Sequence, residues 1–240
     1  MRGLVYLMMG ALLFGCKIIP VRNISQKICW LGSTKVIIQK EYYGPGKVFV
    51  HVHASETTAL DAARKVARAQ GGQVITLIHQ KQRDITFEYH GKTFSFDPNR
   101  IYTVNGIKKT LLDHDCYDPQ AAKIVSHFAS QVMASIPRGK VIAVHNNKGY
   151  SLRDYFPHHP LARDSQNLYV KSRSNFRNFF LVTQAQDFKG IKKMGFNVVH
   201  QARGVTDDGS MSVALASRHY VNVEAAYGQL QQQMIMLNKA

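Results

Sequence analysis

Residues 48–56 read Val48-Phe49-Val50-His51-Val52-His53-Ala54-Ser55-Glu56, and this stretch decides the predicted fold. Its run of β-branched and aromatic residues is typical of a buried strand that ends at a turn of small residues. Ser55 is a favourable N-cap for the helical pattern over residues 57–69. We therefore expect His53 where the strand ends and Glu56 in the first turn of the helix. An imidazole and a carboxylate on one bend can bind the same cation, and this pair suits zinc.

Each of these residues also has a purely structural interpretation. His53 taken alone fits a core histidine bonded to the backbone, and Glu56 taken alone complements the positive end of a helix. His51 lies on the same face of the strand as His53, because side chains alternate along a strand. Packing, support of a ligand and ligation are all open for His51. A His-x-x-Glu spacing occurs often by chance, so it indicates a site only together with other residues.

Strand and helix patterns alternate through the rest of the chain. We predict a hairpin at residues 85–96, helices at 57–69, 118–135 and 227–239, and a long loop region at 146–178. The predicted strands are residues 35–42, 47–53, 73–79, 140–144, 179–183, 197–200, 212–216 and 220–223. No internal repeat or second core is visible, so we predict a single α/β domain with a mixed, mostly parallel central sheet flanked by helices. The hairpin is the feature that predicts a mixed sheet.

The first 16 residues have the pattern of an export signal. Arg2 precedes an apolar run that is too short to span a bilayer and suits a signal peptide. The run ends in Leu13-Phe14-Gly15-Cys16, which resembles the bacterial lipobox except that Phe14 replaces a small residue. We expect a signal or lipobox-like segment over residues 1–16, a tether over 17–33 and the folded domain over 34–240. The protein would then be exported and either periplasmic or membrane-anchored through a lipid at Cys16; a buried N-terminal element is the alternative.

Composition limits the classes of partner. The 45% hydrophobic and 19% charged residues are ordinary for a globular protein, so disorder is not expected. The 31 Lys and Arg residues exceed the 15 Asp and Glu residues and give a net charge of +16, which favours anionic surroundings. An anionic envelope surface fits export, whereas no basic stretch alternates with aromatic residues as nucleic-acid stacking requires. Cys29 and Cys116 are either a disulfide of an oxidising compartment or two free thiols.

Further candidate residues lie where predicted strands or the hairpin end, which is where α/β enzymes place their sites. His145 ends the apolar run from Val141, and Glu224 ends the run from Tyr220. The other candidates are Arg83 before the hairpin and the pair Asn99-Arg100 after it. Arg100 has a structural alternative, a salt bridge with Asp97. Glu224 is harder to explain structurally, because a buried carboxylate is costly without a partner.

In these residues and their order, the sequence resembles the zinc carboxypeptidase superfamily over roughly residues 53–224. The spacing is closest to the branch of succinylglutamate desuccinylase and aspartoacylase. The resemblance implies a zinc-carboxypeptidase-like fold for the domain over residues 34–240. It also implies a Zn²⁺ cofactor, with three ligands that here match His53, Glu56 and His145.

The same resemblance assigns the remaining candidates. Asn99 and Arg100 would hold a substrate carboxylate, Glu224 would be the general base, and Arg83 would stabilise the oxyanion. General chemistry is consistent with these roles. Three protein ligands leave an open position on zinc, and zinc lowers the pKa of a bound water to about 7. Glu224 can move the proton of that water, and the planar fork of Arg100 fits a carboxylate as a lysine cannot.

The sequence therefore predicts an exported zinc-dependent metallohydrolase that cleaves an amide or peptide bond next to a free carboxylate. The expected type is a carboxypeptidase or an N-acyl-amino-acid amidohydrolase, and cell-wall peptides are one candidate substrate. The alternative is a non-catalytic envelope binding or scaffold protein that retains the fold. The two predict different structures. An enzyme needs Glu224 close to His53, Glu56 and His145, with an open cleft above them. In a scaffold protein, the loop over residues 146–178 would fill that cleft.

Overall fold

The computed structural model describes residues 19–171 and 174–240. The segment over residues 1–16, with Cys16, lies outside the described residues. The strands are β1 (Asn23–Leu31), β2 (Thr34–Gly44), β3 (Val48–His51), β4 (Gly72–Ile78), β5 (Ile85–Tyr89), β6 (Lys92–Phe96), β7 (Val141–Asn147), β8 (Ser165–Tyr169), β9 (Phe179–Val182), β10 (Val198–Gln201) and β11 (Tyr220–Ala226). The helices are α1 (Thr57–Gln70), α2 (Val104–Asp113), α3 (Pro119–Ser135), α4 (Ala185–Lys193), α5 (Met211–Ala214) and α6 (Leu230–Lys239).

One nine-stranded sheet runs through the molecule in the order β1-β2-β4-β3-β7-β11-β9-β10-β8. At its centre β4, β3, β7 and β11 are parallel neighbours. Strands β1 and β8 also point in this direction, whereas β2, β9 and β10 run the opposite way. The predicted single α/β domain with a mixed, mostly parallel sheet is confirmed. The reason given for the mixing is wrong, because the hairpin β5–β6 forms a separate two-stranded sheet.

Alternating side chains of the central strands supply two cores, one on each face of the sheet. Val141 and Ala143 of β7 pack in a cluster with α2, α3 and the β5–β6 hairpin. Ile142 and Val144 pack on the other face in a cluster with α1, α4 and α6. Because both faces are covered, β7 is buried over its whole length, as parallel strands generally are. Any polar residue in such a strand therefore needs a specific partner.

The parallel strands also fix where the candidate residues lie. In a parallel sheet the carboxyl ends of neighbouring strands meet at one edge. His53 follows β3, Arg83 follows β4, His145 lies near the end of β7, and Glu224 lies near the end of β11. Residues that are far apart in the sequence are thereby brought to the same edge of the sheet.

Three predicted segments differ from the structure. The tether prediction is wrong for Asn23–Leu31, which pairs along its length with β2; its period was obscured because Ile24, Ile28 and Trp30 are exposed and apolar. Residues 212–216 do not form a strand, since Val213 N and Ala214 N both bond to Ser210 O in the short helix α5. The predicted loop region contains β8 and two short 3₁₀ helices, Leu152–Tyr155 and Ala162–Asp164.

The sequence also missed α2 and α4. The N-cap of α2 is Thr103, whose side chain accepts a hydrogen bond from Gly106 N, and this capping pattern was not recognised. Cys29 and Cys116 are free thiols, so the disulfide alternative is excluded in this structure. Within residues 19–171 and 174–240, helices are too short or too polar to cross a membrane.

An ion pair between a buried carboxylate and a partly exposed guanidinium joins the sheet to α1 away from the candidate site. Glu41 of β2 accepts hydrogen bonds from Arg64 Nε at 3.0 Å and from Tyr43 Oη at 2.7 Å. Burial alone would raise the pKa of Glu41, but the bonds from Arg64 and Tyr43 outweigh it and lower the pKa. A carboxyl group with a lowered pKa in the folded state stabilises that state only while it is ionised.

We expect Glu41→Gln to lower the free energy of unfolding at pH 7 by about 1–3 kcal/mol, because the variant leaves Arg64 without its charged partner. The wild-type advantage should be fully present above the unfolded pKa of about 4.3 and disappear as the pH falls through the lower folded pKa. Denaturant unfolding at pH 7 and at decreasing pH measures both effects. Glu88→Gln, at an exposed position of β5, is the matched control, and an equal loss of stability in both variants would contradict this role for Glu41.

Candidate metal centre

His53 is a fully buried histidine just beyond β3, and both of its ring nitrogens have partners. Nε2 lies 2.7 Å from Asp97 Oδ1. Nδ1 lies 2.9 Å from Glu56 Oε1 and 3.2 Å from Nδ1 of His145. The bond to Asp97 fixes the orientation of the ring, so Nδ1 is the nitrogen that faces the other candidate ligands.

Glu56 is the residue immediately before α1, so its predicted place inside the first turn and the predicted N-cap at Ser55 are both wrong. The cap is supplied from another strand, since Asn146 Oδ1 accepts a hydrogen bond from Ala59 N at 2.6 Å. The side chain of Glu56 turns instead toward the histidines. Its Oε2 also accepts a hydrogen bond from Asn146 N at 3.1 Å.

His145 completes the group from β7, with its Nδ1 3.0 Å from Glu56 Oε2. The candidate ligand atoms of His53, Glu56 and His145 all lie within 4.8 Å of one another, and all three residues are buried. Two imidazole nitrogens and a carboxylate oxygen are donors that transition-metal ions and zinc accept. The group can therefore bind a metal ion, as the resemblance implied for these three residues.

The charges in the group compensate one another strongly. Burial would lower the pKa of His53, but Glu56 and Asp97 outweigh it and raise that pKa to about 9. Burial would raise the pKa of Glu56, but the two histidines hold it well below its usual range. His51 differs, because burial lowers its pKa to about 4. Its ring bonds Thr76 and the backbone of Glu56, so His51 supports the bend and lies outside the ligand group.

A buried amide network holds the end of β7 in place. Gln233 of α6 is fully buried and donates a hydrogen bond to His145 O at 2.9 Å. Its Oε1 accepts a hydrogen bond from Asn146 Nδ2 at 2.7 Å. Because Asn146 in turn bonds α1, this network connects two helices of one layer, α1 and α6, to the segment that carries His145.

Glu224 lies beside His145, because the two residues are register partners on the parallel strands β11 and β7. Side chains of register partners point to the same face of a sheet, about 4.8 Å apart at the backbone. Glu224 is buried and accepts a hydrogen bond at each oxygen, from Asn147 Nδ2 at 3.0 Å and from Asn222 Nδ2 at 3.1 Å. Its carboxylate is therefore held next to the candidate ligands.

Asn99 and Arg100 follow the hairpin and face the same space. Asn99 Oδ1 accepts a hydrogen bond from Met211 N at 3.3 Å, so the amide nitrogen of this cleft-lining residue is left to donate elsewhere. Arg100 Nη1 donates to Asn99 O at 3.0 Å and lies 3.5 Å from Asp208 Oδ2. The predicted alternative, a salt bridge of Arg100 with Asp97, is not formed.

Arg83 is half-exposed and donates to two acidic residues rather than standing free. Nη1 lies 2.7 Å from Glu56 Oε1, and Nη2 lies 3.2 Å from Asp97 Oδ2. Each terminal nitrogen of a guanidinium carries two N–H groups, so Arg83 retains donors for a ligand. In this structure it also neutralises the carboxylates that hold the histidines.

All of these candidates meet in one cleft of about 740 Å³, which is lined by His53, Glu56, Arg83, Asn99, Arg100, His145 and Glu224 together with other residues. The segment over residues 146–178 contributes Lys148, Tyr150, Tyr155 and Leu161 to a wall of the cleft. The hydroxyl groups of Tyr150 and Tyr155 are hydrogen-bonded to each other. The described residues of this segment, 146–171 and 174–178, border the cleft and do not fill it.

Several residues of the site were not predicted from the sequence, namely Asp97, Asn146, Asn147, Asn222 and Gln233. Asn222 had a usable signal, because it lies two residues before Glu224 on the same strand and therefore on the same face. Asn146 and Asn147 directly follow His145. Gln233 had no such signal, since its partners lie on β7, far away in the sequence.

Comparisons with known proteins add little to this geometry. No protein-family model and no curated protein matches the sequence. The bottromycin maturation enzyme BotP matches with a TM-score of 0.36 and 7% identity, over 91% of this chain and 62% of BotP. A bromoperoxidase from Bacillus anthracis matches with a TM-score of 0.20 and 18% identity, over 50% of this chain and 44% of the bromoperoxidase. Neither likeness is close enough to support an inference, so the conclusions on the site depend on its own residues.

We expect Asp97→Asn to weaken metal binding about 10- to 100-fold, because a partner that orients a ligating histidine has an effect of this size. Competition with a chromophoric chelator measures the dissociation constant. His53→Ala and His145→Ala should remove most of the binding, whereas Asp113→Asn, an exposed aspartate on α2, is the matched control. Unchanged affinity in His53→Ala and His145→Ala would show that these residues hold no metal.

Proposed function

We propose that this protein is a zinc-dependent metallohydrolase that cleaves an amide or peptide bond next to a free carboxylate. The observation that carries the proposal is the convergence of Glu224, Asn99 and Arg100 with the His53, Glu56 and His145 group on one cleft. A ligand group, a neighbouring carboxylate and a guanidinium fork are together the parts that hydrolysis of such a bond requires. The α/β fold with its central sheet is consistent with a zinc-carboxypeptidase-like protein.

The ligand group fits zinc by its donors, two histidine nitrogens and one carboxylate oxygen. When bound, zinc would supply an electrophile for the scissile carbonyl and make a water acidic enough to react near neutral pH. Asp97 orients His53 through Nε2, and Asn146 N holds Glu56 through Oε2. These bonds within the protein orient the donor atoms without the help of an ion.

Glu224 is placed to move protons during hydrolysis. One amide donor at each carboxylate oxygen orients the group, and each oxygen keeps a further acceptor site. Glu224 would take a proton from the attacking water and deliver it to the nitrogen of the leaving amine. Arg83 would donate its remaining N–H groups to the oxyanion that forms at the carbonyl.

Asn99 and Arg100 would select a substrate with a free carboxylate. The Asn99 amide nitrogen and the guanidinium of Arg100 together present several donors to one anionic group, and a guanidinium can bond both oxygens of a carboxylate. A peptide C-terminus and an N-acyl amino acid both carry the scissile bond next to this carboxylate. The open cleft favours an enzyme over the non-catalytic scaffold.

The place of action is also a proposal. The apolar N-terminal run and Cys16 favour an exported protein that is periplasmic or anchored through a lipid. The net charge of +16 would attract it to anionic envelope surfaces. Cell-wall peptides, which carry free carboxylates, are the substrates that this location suggests.

We expect the zinc-loaded protein to release amine from short peptides or N-acyl amino acids, and a chelator to abolish the activity. Glu224→Gln should lower kcat at least 100-fold and keep the metal, because an amide cannot take the proton. Measurement of amine release and of bound zinc in the same samples separates the two effects. Glu88→Gln is the control, and activity that persists in Glu224→Gln would exclude the proposed mechanism.

We expect Arg100→Lys to lower kcat/KM about 10- to 100-fold, because hydrogen bonds to a charged group contribute about 1.5–3 kcal/mol and lysine cannot form the bidentate pair. C-terminally amidated peptides should react poorly with the wild type and show little further loss in the variant. Initial rates with free and amidated peptides test this, with the exposed Arg138→Lys as control. An equal loss on both types of peptide would show that Arg100 does not hold the carboxylate.

A further inference from the structure

Three residues that line the cleft each carry a buried amide oxygen that has no hydrogen-bond donor among residues 19–171 and 174–240. These oxygens are Asn147 Oδ1, Gln201 Oε1 and Asn222 Oδ1. Their residues are only 7%, 4% and 8% exposed. A buried acceptor without a donor costs about 1–3 kcal/mol, and native proteins contain few such groups. Three of them in one cleft indicate that donors arrive there from outside the chain.

The orientation of each amide is fixed by its nitrogen. Asn147 Nδ2 and Asn222 Nδ2 both donate to the carboxylate of Glu224. Gln201 Nε2 donates to the carbonyl oxygen of Ser212 at 3.1 Å. Turning any of these amides over would place oxygen against oxygen, so the unpaired atoms are acceptors and not donors.

Two of the acceptors lie at different depths on the floor of the cleft. Asn222 and Val199 are both register partners of Leu181, which lies between them on β9. Strand β10 runs antiparallel to β11. Gln201 comes two residues after Val199 on β10, and it is therefore level with Tyr220, which comes two residues before Asn222 on β11. Tyr220 precedes Glu224 by four residues, a distance of about 13 Å along a strand. Asn222 lies halfway along this distance from Glu224, and Gln201 lies at the end that is level with Tyr220.

The far end of the cleft is connected to the carboxylate-binding pair. Ser212, whose carbonyl holds Gln201, is next in sequence to Met211, whose N–H holds Asn99. A substrate residue whose carboxylate is bound by Asn99 and Arg100 is therefore close to the pocket that contains Gln201. Its side chain is the part of the substrate that would enter this pocket.

We propose that the cleft selects a terminal residue whose side chain ends in an N–H donor, an amine or an amide, with Gln201 as the acceptor. This inference rests on the proposed function, because Asn99 and Arg100 define which substrate residue enters the pocket. An apolar side chain of equal length would leave the Gln201 acceptor unpaired. Sites built to hydrogen-bond a substrate reject analogues without the partner far more strongly than sites that only measure size.

The test compares acetylated peptides that differ only in a C-terminal lysine, glutamine or norleucine. Wild-type protein should hydrolyse the lysine or the glutamine peptide with at least tenfold higher kcat/KM than the norleucine peptide. Gln201→Met, which keeps the length and removes the acceptor, should lower this ratio about tenfold. Gln26→Met on the exposed strand β1 is the matched control. Equal rates on all three wild-type substrates, or a ratio that survives Gln201→Met, would overturn the proposal.

The two donor classes and a folding defect are separated by a second variant. Gln201→Glu should raise the preference for lysine over glutamine, because a carboxylate attracts the ammonium group. A lysine-to-glutamine ratio that does not change in Gln201→Glu would contradict the assignment of this residue. Thermal unfolding and zinc content show whether each variant is folded. If Gln201→Met does not fold, Gln201→Glu supplies the test.

Binding without turnover separates this proposal from the function on which it rests. Calorimetry with metal-free wild-type and Gln201→Met protein and the same peptides measures affinity without turnover, and it keeps the Glu224 carboxylate that orients Asn147 and Asn222. A binding preference for the lysine or glutamine peptide that depends on Gln201, without hydrolysis by the wild type, supports the pocket and overturns the hydrolase. Hydrolysis without any side-chain preference overturns the pocket and leaves the hydrolase in place.

Discussion

The buried carboxylate of Glu56 is the interaction on which the rest of the site depends. An ionised carboxylate removed from water is costly unless charges and hydrogen bonds replace its hydration. Here His53, His145, Arg83 and the backbone N–H of Asn146 all reach its two oxygens. Because these partners come from separate segments, compensation of one charge fixes the relative positions of β3, β7 and the loop after β4.

The second constraint is the in-register pairing of β7 with β11. It places Glu224 beside His145, and alternation along the two strands adds Asn147 and Asn222 to the same face. These two asparagines hold the Glu224 carboxylate through their nitrogens and turn their oxygens away from it. One pattern of hydrogen bonds thereby accounts both for an oriented carboxylate and for the unpaired acceptors in the cleft.

The helix layer that contains α1 and α6 also holds the end of β7 through specific hydrogen bonds. Asn146 points to the opposite face of β7, where it caps α1 and bonds Gln233 of α6. A single segment, His145 to Asn147, therefore contributes to the ligand group, to the helix layer and to the hold on Glu224. The amide side chains in this segment satisfy groups that a fully buried strand would otherwise leave without partners.

Much of this protein was determined by local sequence. The apolar run from Val48 and the helix pattern after Glu56 predicted the bend that carries His53, because strand and helix periods differ. The ends of the predicted strands and of the hairpin made His145, Glu224 and Asn99-Arg100 candidates for one site, because α/β enzymes place their sites there. Local pattern failed for Asn23–Leu31, which is apolar on its exposed face, and for residues 212–216, where apolar alternation was mistaken for a strand.

Only the tertiary structure decided how the candidates are connected. The sequence offered Ser55 as the cap of α1, but Asn146 supplies it from another strand because β7 passes beside the start of that helix. It offered Asp97 as a partner of Arg100, but Asp97 bonds His53 and Arg83. Hydrogen bonds between distant segments depend on the packing of the sheet and its helices, and no periodicity of the chain encodes them.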